Sequence, residues 1–195
     1  MKNQDRRIQR TQARLRNALI DLILQKGYDV ITIREITDQA QVGYATFFRH
    51  YEGKDELLAD AFEHSISELH TLLSVLGGSN PEEKGTLIFA HIKKHQDLYS
   101  IFLQGHGTQR LLNRVINESV SDILLRYSRY TPSIPPAVLA NHLVSSIVSL
   151  IKWWLCNDMP FSPEEMGAFY ATLILNPIEN LIASELEPYS LQAAG

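Results

Sequence analysis

A chain of 195 residues, 45% hydrophobic and 21% charged, is large enough to bury a sizeable core in one or two domains and lacks the bias of a disordered chain. The apolar run near Leu143 to Cys156 is broken by Ser145, Ser146, Ser149 and Lys152, too mixed for a membrane span, and the start MKNQDRRIQR lacks the apolar core of a signal peptide. Net charge is −4 but unevenly placed: residues 1–54 hold ten Lys/Arg against six Asp/Glu, and the rest hold eight against sixteen, a basic head on an acidic body that steers the head toward phosphate.

The first helix is predicted from about Gln4 to Lys26, with Ile8, Leu15, Leu19, Leu22 and Ile23 on one face and Gly27 as its stop. Arg6, Arg7, Arg10, Arg14 and Arg16 crowd its first half. Tyr28, Val30 and Ile33 are expected to pack under the short helices that follow. Thr32 and Glu35 stand in capping-box spacing, which starts the second helix. Gln41-Val42-Gly43 breaks it, with Gly43 free to take a positive φ. Tyr44 to His50 forms a third helix, too short to stand alone. Its Phe47 must therefore pack inward, leaving Tyr44, Ala45, Thr46 and Arg49 for the exposed side. A short helix pair of this kind is suited to presenting side chains to a DNA groove.

A fourth helix starts at Lys54 and carries Leu57, Leu58, Ala61, Phe62, Ile66, Leu69, Leu73 and Leu76 to Gly77-Gly78. It can act as a lever between head and body. Asn80-Pro81-Glu82-Glu83 starts the next helix, which is expected to reach about His95, with a shorter one to Leu103. Gly105-His106-Gly107 reads as a turn, Thr108 to Tyr130 as a helix, and Thr131 to Pro135 as a loop. Pro136 to Asn157 reads as an apolar helix. Ser162-Pro163-Glu164-Glu165 caps the last long helix, where Pro177 predicts a kink. The tail after Glu187 is expected to fray. The whole reads as an all-α chain with a head over residues 1–53 and a helical body over 54–195.

Thr32, Arg34, Ile36, Ala40, Val42, Thr46, His50, Lys54 and Leu57 carry a resemblance. The segment is similar to the DNA-binding domain of the tetracycline-repressor (TetR) family of bacterial transcription regulators. The similarity covers about the first quarter of the chain, and beyond it only length and helical character agree. Phe48 stands where a tyrosine is usual, so a phosphate-directed hydroxyl is missing. Tyr51 replaces phenylalanine, Gly53 replaces serine, and Gly43 stands where serine is common.

Arg34 is suited to read a base, because a guanidinium can bond two guanine acceptors. Tyr44 and Ala45 open the recognition helix, and Ala45 can touch a thymine methyl. By resemblance Thr46, His50 and Lys54 face phosphates, Arg49 less clearly; the competing roles are capping for Thr32, packing for His50 and solvation for Lys54. Gly43 and Phe48 complete the expected DNA surface.

In the body Phe89, His95, Tyr99, Phe102, Tyr127 and Trp153 are candidates to line an effector pocket, against the competing role of core packing. Leu139, Leu143, Ile147, Leu150, Trp154, Phe169, Tyr170, Leu173 and Ile178 are candidates for a four-helix interface with a second copy, against the internal core. His91 and His95 stand four apart, with His106 as a third nitrogen, but two or three histidines make a weak metal signal, and neither metal nor cofactor is expected. No nucleophile elbow, P-loop or dinucleotide fingerprint occurs, so no enzyme is expected. Cys156, alone, permits no internal disulfide and is expected to be a buried, inert thiol. Together these imply a homodimeric regulator on a palindromic operator in double-stranded DNA, released by a small effector, cytoplasmic and nucleoid-associated in a bacterium, with no membrane partner. The alternative is a co-regulator of the same fold that works through protein partners without an effector.

Overall fold

The structure, a computed structural model, describes residues 2–76, 80–104, 117, 120–121 and 134–181, the side chains of 2–5 and 104 excepted. The expectations for Gly77-Gly78, Gly105-His106-Gly107, Tyr127, most of the helix from Thr108 to Tyr130, the loop from Thr131 and the tail after Glu187 lie outside the described residues. Among the described residues every regular element is helical, in the order α1 (Lys2–Lys26), α2 (Ile33–Ala40), α3 (Tyr44–Phe47), α4 (Lys54–Leu76), α5 (Pro81–Lys94), α6 (Gln96–Gln104), α7 (Pro136–Cys156) and α8 (Pro163–Tyr170).

The chain divides into two compact units. One comprises Met1–Glu68 with His95–Leu111, the other Leu69–Lys94 with Leu112–Gly195. The sequence reading put the division at residues 53 and 54. By packing, the first part of α4 and all of α6 go with the head.

In the first unit α1 buries Leu15, Ala18, Leu19, Leu22 and Ile23, the stripe a 3.6-residue period requires. Gly27 ends it at φ 77°, its N–H donating to the Ile23 carbonyl at 2.9 Å. Ile8, expected on that stripe, is 39% exposed, because the packed part of α1 starts further along the helix. In the following loop Val30, expected to pack, faces solvent, and Ile31 is buried, while Tyr28 and Ile33 are half-buried. Leu57, Leu58, Ala61 and Phe62 give α4 its buried face, and Phe62 stacks on Phe102 of α6 with ring centroids 3.6 Å apart.

In the second unit α5 and α8 cross on two glycines. A Cβ added to Gly85 would come within 2.8 Å of the Gly167 Cα and carbonyl oxygen, so the backbones touch. Ser162 and Glu165 form the capping box that starts α8, with Glu165 N–H donating to Ser162 Oγ at 3.2 Å and Ser162 N–H to Glu165 Oε2 at 2.8 Å. A π-helical turn, Ala171–Leu175, follows without a break, and helix continues over 176–181.

α7 forms over 21 residues, within one residue of the expected helix, and is long and apolar enough by length and composition to cross a membrane, although the broken apolar run speaks against a span. Its Leu139 and Leu143 instead cluster with Ile174 and Ile178, as in the core helix of a globular unit. Trp154 has no exposed surface; it meets Phe89 edge-on at 5.2 Å and donates Nε1–H to the Phe161 carbonyl at 3.0 Å. Leu139, Leu143, Trp154 and Ile178, offered as interface residues, are thus taken up by the chain's own core. Cys156, expected to be buried, is exposed in the last turn of α7.

Candidate nucleic-acid interface

The capping box at the start of α2 forms as its spacing requires. Glu35 N–H donates to Thr32 Oγ1 at 3.3 Å, and Thr32 N–H donates to Glu35 Oε2 at 2.9 Å. Lys26 adds an ion pair to Glu35. The Lys26 bond first, then those from Thr32, hold the Glu35 carboxyl down at about 2.

The turn out of α2 differs from its expected form. Gln41, not Gly43, takes the left-handed conformation, at φ 51°. Gln41 N–H donates to Asp38 O and Val42 N–H to Thr37 O, which satisfies the last carbonyls of α2. Arg14 of α1 donates from Nη2 to Gln41 Oε1 at 3.1 Å, so a residue 27 positions away fixes the turn. Gly43 sits at φ −62°, ψ 139° and starts α3 through its carbonyl, which accepts from Thr46 and Phe47 N–H.

α3 is shorter than the expected Tyr44 to His50. Four residues are helical, and residues 48–50 are turns tied by His50 and Tyr51 N–H to the Phe47 carbonyl. Such a helix stands only because its neighbours hold it. Phe47 is fully buried. Tyr51 is buried as well, and its hydroxyl donates to Asp60 Oδ2 at 2.6 Å; the same oxygen takes Arg16 Nη1 at 2.8 Å. Burial, then the Asp60 hydrogen bond, push the Tyr51 phenol well above its usual range. The phenylalanine-to-tyrosine departure is therefore matched by an acceptor on α4.

On the other side of Phe47, Arg34, Tyr44, Ala45, Phe48 and Arg49 are exposed. Tyr44 and Phe48 meet edge to face at 5.2 Å and leave about half of each side chain in solvent. Arg34 and Arg49 enter no ion pair among the described residues. Thr46 and His50 are half-buried, and Thr32 is committed to its cap.

Lys54 is placed differently from its expected phosphate-facing role. Its ammonium donates to the carbonyls of Tyr28, Asp29 and Ile31 at 3.0–3.3 Å and lies 4.5 Å from the Tyr28 ring centre. Three donors on three acceptors satisfy an ammonium. The Tyr28 hydroxyl reaches Asp55 in the same turn, so Lys54 and Asp55 together clamp the start of α4 to the loop after α1. Sequence reasoning missed this clamp, and it missed Asp60 and Gln41. Each is a single residue whose partner lies far along the chain, without a local spacing signal.

The effector candidates fall in both units. Tyr99 and Phe102 are buried against Phe62 in the first, where burial pushes the Tyr99 phenol up to about 12 and His95 is half-buried. Phe89 is buried on Trp154 in the second, while Trp153 is 46% exposed and stacks on Phe161. Of the remaining interface candidates, Ile147, Leu150 and Tyr170 pack at the edge of the Leu139 cluster, and Phe169 and Leu173 are exposed at 37% and 66%. His91 is buried and His106 lies outside the described residues.

Residues 15–61 match the model described as bacterial regulatory proteins, tetR family, and residues 79–176 match that of a transcriptional regulator C-terminal region. The HTH-type transcriptional regulator YxbF of Bacillus subtilis is 36% identical over 77 residues, 39% of this chain and 20% of that protein; the chain thus spans about a fifth of that relative's length. The crystal structure of a TetR transcriptional regulator from Streptococcus agalactiae superposes with TM-score 0.60 at 29% identity, covering 89% of this chain and 98% of that one. The FadR regulator of Bacillus subtilis, crystallised with stearoyl-CoA, shares the fold at TM-score 0.60 and 14% identity, over 87% of this chain and 97% of its own. With the helix-turn-helix geometry in the segment the family model matches, and a C-terminal match over half the chain, this protein belongs to the tetR family of DNA-binding bacterial transcriptional regulators.

Proposed function

We propose that this regulator is a repressor that grips a palindromic operator as a homodimer and releases it when a small molecule binds its body. The observation that carries the DNA reading is the exposed set Arg34, Tyr44, Ala45, Phe48 and Arg49 around the buried anchor Phe47. Arg34 is the reader of guanine, and Tyr44 and Ala45 the apolar contacts for a thymine methyl. Thr46, His50 and Arg49 are placed for phosphates, and Gly43 leaves the backbone clear for close approach. Lys54 and Thr32 act by holding the helices that carry these groups.

Four helical residues read too few bases for a specific site, so two heads related by a dyad are required. The exposed Phe169 of α8 and Leu173 of the π turn, with the partly buried Ile147 and Leu150 of α7 and Tyr170 of α8, are the apolar residues offered to a second copy. A fold neighbour crystallised with stearoyl-CoA supports a body able to take an effector. Phe89 and Trp153, which lie in the second unit, remain the residues for it; His95, Tyr99 and Phe102 belong to the first unit, and Tyr127 lies outside the described residues. α4 belongs to both units and is the element through which an effector would shift head affinity. A coupling of about 1–3 kcal/mol is enough for a useful switch.

The test is selection of bound duplexes from a random pool, followed by sedimentation of the complex and a screen for compounds that release the DNA. A recovered palindrome bound by two chains, and a releasing compound whose action is blunted by Phe89→Ala or Trp153→Ala, are expected. A monomer bound to an asymmetric site, or no compound shifting affinity, overturns the dimer or the effector part respectively.

A further inference from the structure

The five arginines of α1 do not share one role. Arg16 is mostly buried and bonds Asp60, and Arg14 bonds Gln41. Arg6, Arg7 and Arg10 are exposed and enter no ion pair among the described residues. Residues 6–10 are exposed throughout, and full burial on α1 starts only at Leu15. The first turns of the helix therefore hold nothing in the core.

For folding alone the three charges are misplaced. Arg6 and Arg10 repel at i,i+4, as do Arg10 and Arg14, and Arg7 and Arg10 repel at i,i+3. An anion brought against them relieves that repulsion. Their position says which anion. Arg6, Arg10 and Arg14 form one row at i,i+4 spacing, about 12 Å long at 1.5 Å per residue. Its inner end, Arg14, is bonded to Gln41, the residue that turns α2 toward α3. The row thus leads away from the helix-turn-helix turn. One DNA strand carries a phosphate about every 3.4 Å of axis, so a row of this length laid along the axis spans about three phosphate steps.

We infer that the first turns of α1 are a backbone arm: Arg6, Arg7 and Arg10 bind phosphates flanking the base pairs that α3 reads. This rests on the head binding duplex DNA, and it adds affinity without sequence preference.

The experiment compares the native chain with the triple variant Arg6→Gln/Arg7→Gln/Arg10→Gln, chosen because glutamine keeps helix propensity. Dissociation constants are measured by fluorescence anisotropy across a salt series, on the selected operator with long flanks and on the same operator trimmed to its core. The variant is expected to bind at least about tenfold more weakly at low salt, with a salt slope shallower by about 2–3 per head. Its base preference stays the same, and trimming the flanks weakens the native chain but not the variant. Its thermal midpoint is unchanged or higher, since repulsion is removed. An unchanged slope, a fall in thermal midpoint, or a change of preference at one base pair overturns the inference. If the native chain enriches no sequence, the operator reading fails by itself, and the same salt comparison on a random duplex still decides the arm.

Discussion

Replacing Lys54 with methionine separates two roles that a DNA contact map would confuse. The side chain keeps its length and apolar stem and loses the ammonium. Three carbonyls, of Tyr28, Asp29 and Ile31, then lose their donor, and the Tyr28 ring loses a cation at 4.5 Å. Charge-assisted hydrogen bonds are worth about 1.5–3 kcal/mol each when the partners are left dry. These carbonyls lie on a partly exposed loop and can rehydrate, so the bonds do not add in full. With about 0.5–1 kcal/mol for the ring contact, a net loss of about 2 kcal/mol is expected. The two tryptophans lie in the other unit, so their fluorescence is a poor probe. Hydrogen exchange of the amides over residues 28–62 reads the loss directly, as faster exchange in the loop and the start of α4. Operator binding should weaken modestly, because the head is looser, while the slope against salt stays that of the native chain. A slope shallower by about one with unchanged exchange would show an ammonium on a phosphate, as the family resemblance implies, and would refute the clamp.

Other positions give equally definite expectations. Gly167→Ala should destabilise the second unit by about 1–3 kcal/mol in urea unfolding followed by tryptophan fluorescence: its Cβ would lie 2.5 Å from Thr86 N and 2.8 Å from Glu82 O, backbone that no rotamer change can move, and the helix propensity gained offsets only about 1 kcal/mol. Gly43→Ser should be tolerated or add a few tenths of a kcal/mol to the head, since φ is −62°, the nearest atom to its Cβ is 3.5 Å away, and serine is the better N-cap; a loss above about 1 kcal/mol would contradict that geometry. Glu35, depressed from its ordinary 4.5 to about 2, contributes stability that is present above about 4.5 and lost as pH falls toward 2; exchange of the α2 amides in that window should accelerate in the native chain and stay flat in Glu35→Gln. Phe48→Tyr, which returns the missing hydroxyl beside Tyr44, should tighten binding to all duplexes alike by about 1 kcal/mol, with base preferences unchanged in a selection profile.

Much of the head was legible because its signals are local. The Thr32 and Glu35 spacing fixes where α2 starts, and the shortness of α3, which cannot stand alone, requires Phe47 to pack inward. What was not legible depends on distant partners. Either Gln41 or Gly43 could have taken the left-handed turn residue by local propensity, and glycine is the cheaper choice. Gln41 is chosen because α2 runs out of hydrogen bonds there and because Arg14 holds its side chain from α1. Lys54 matched the family string in sequence, yet its ammonium is engaged by a loop 23–26 residues earlier.

The body was harder for a different physical reason. An apolar stripe at helical spacing states that a face is covered, and leaves open whether the chain or a second copy covers it. Leu139, Leu143, Trp154 and Ile178 share periodicity with Ile147, Leu150 and Leu173, but the first four close the chain's own core while Leu173 remains two-thirds exposed. Pro177 shows the same limit. Proline has no N–H and crowds the carbonyl four residues back, so a kink is the expected response. The helix instead opens into the π turn Ala171–Leu175, where Asn176 N–H reaches back five residues to Ala171 O, and the turn continues through the proline into 176–181. Widening the turn just before proline relieves the crowding at Leu173 while Ala171, Ile174 and Ile178 stay buried. Leu173 is thereby left on the outer side of an unbroken helix, one turn after the exposed Phe169, where the proposed homodimer would take an apolar contact.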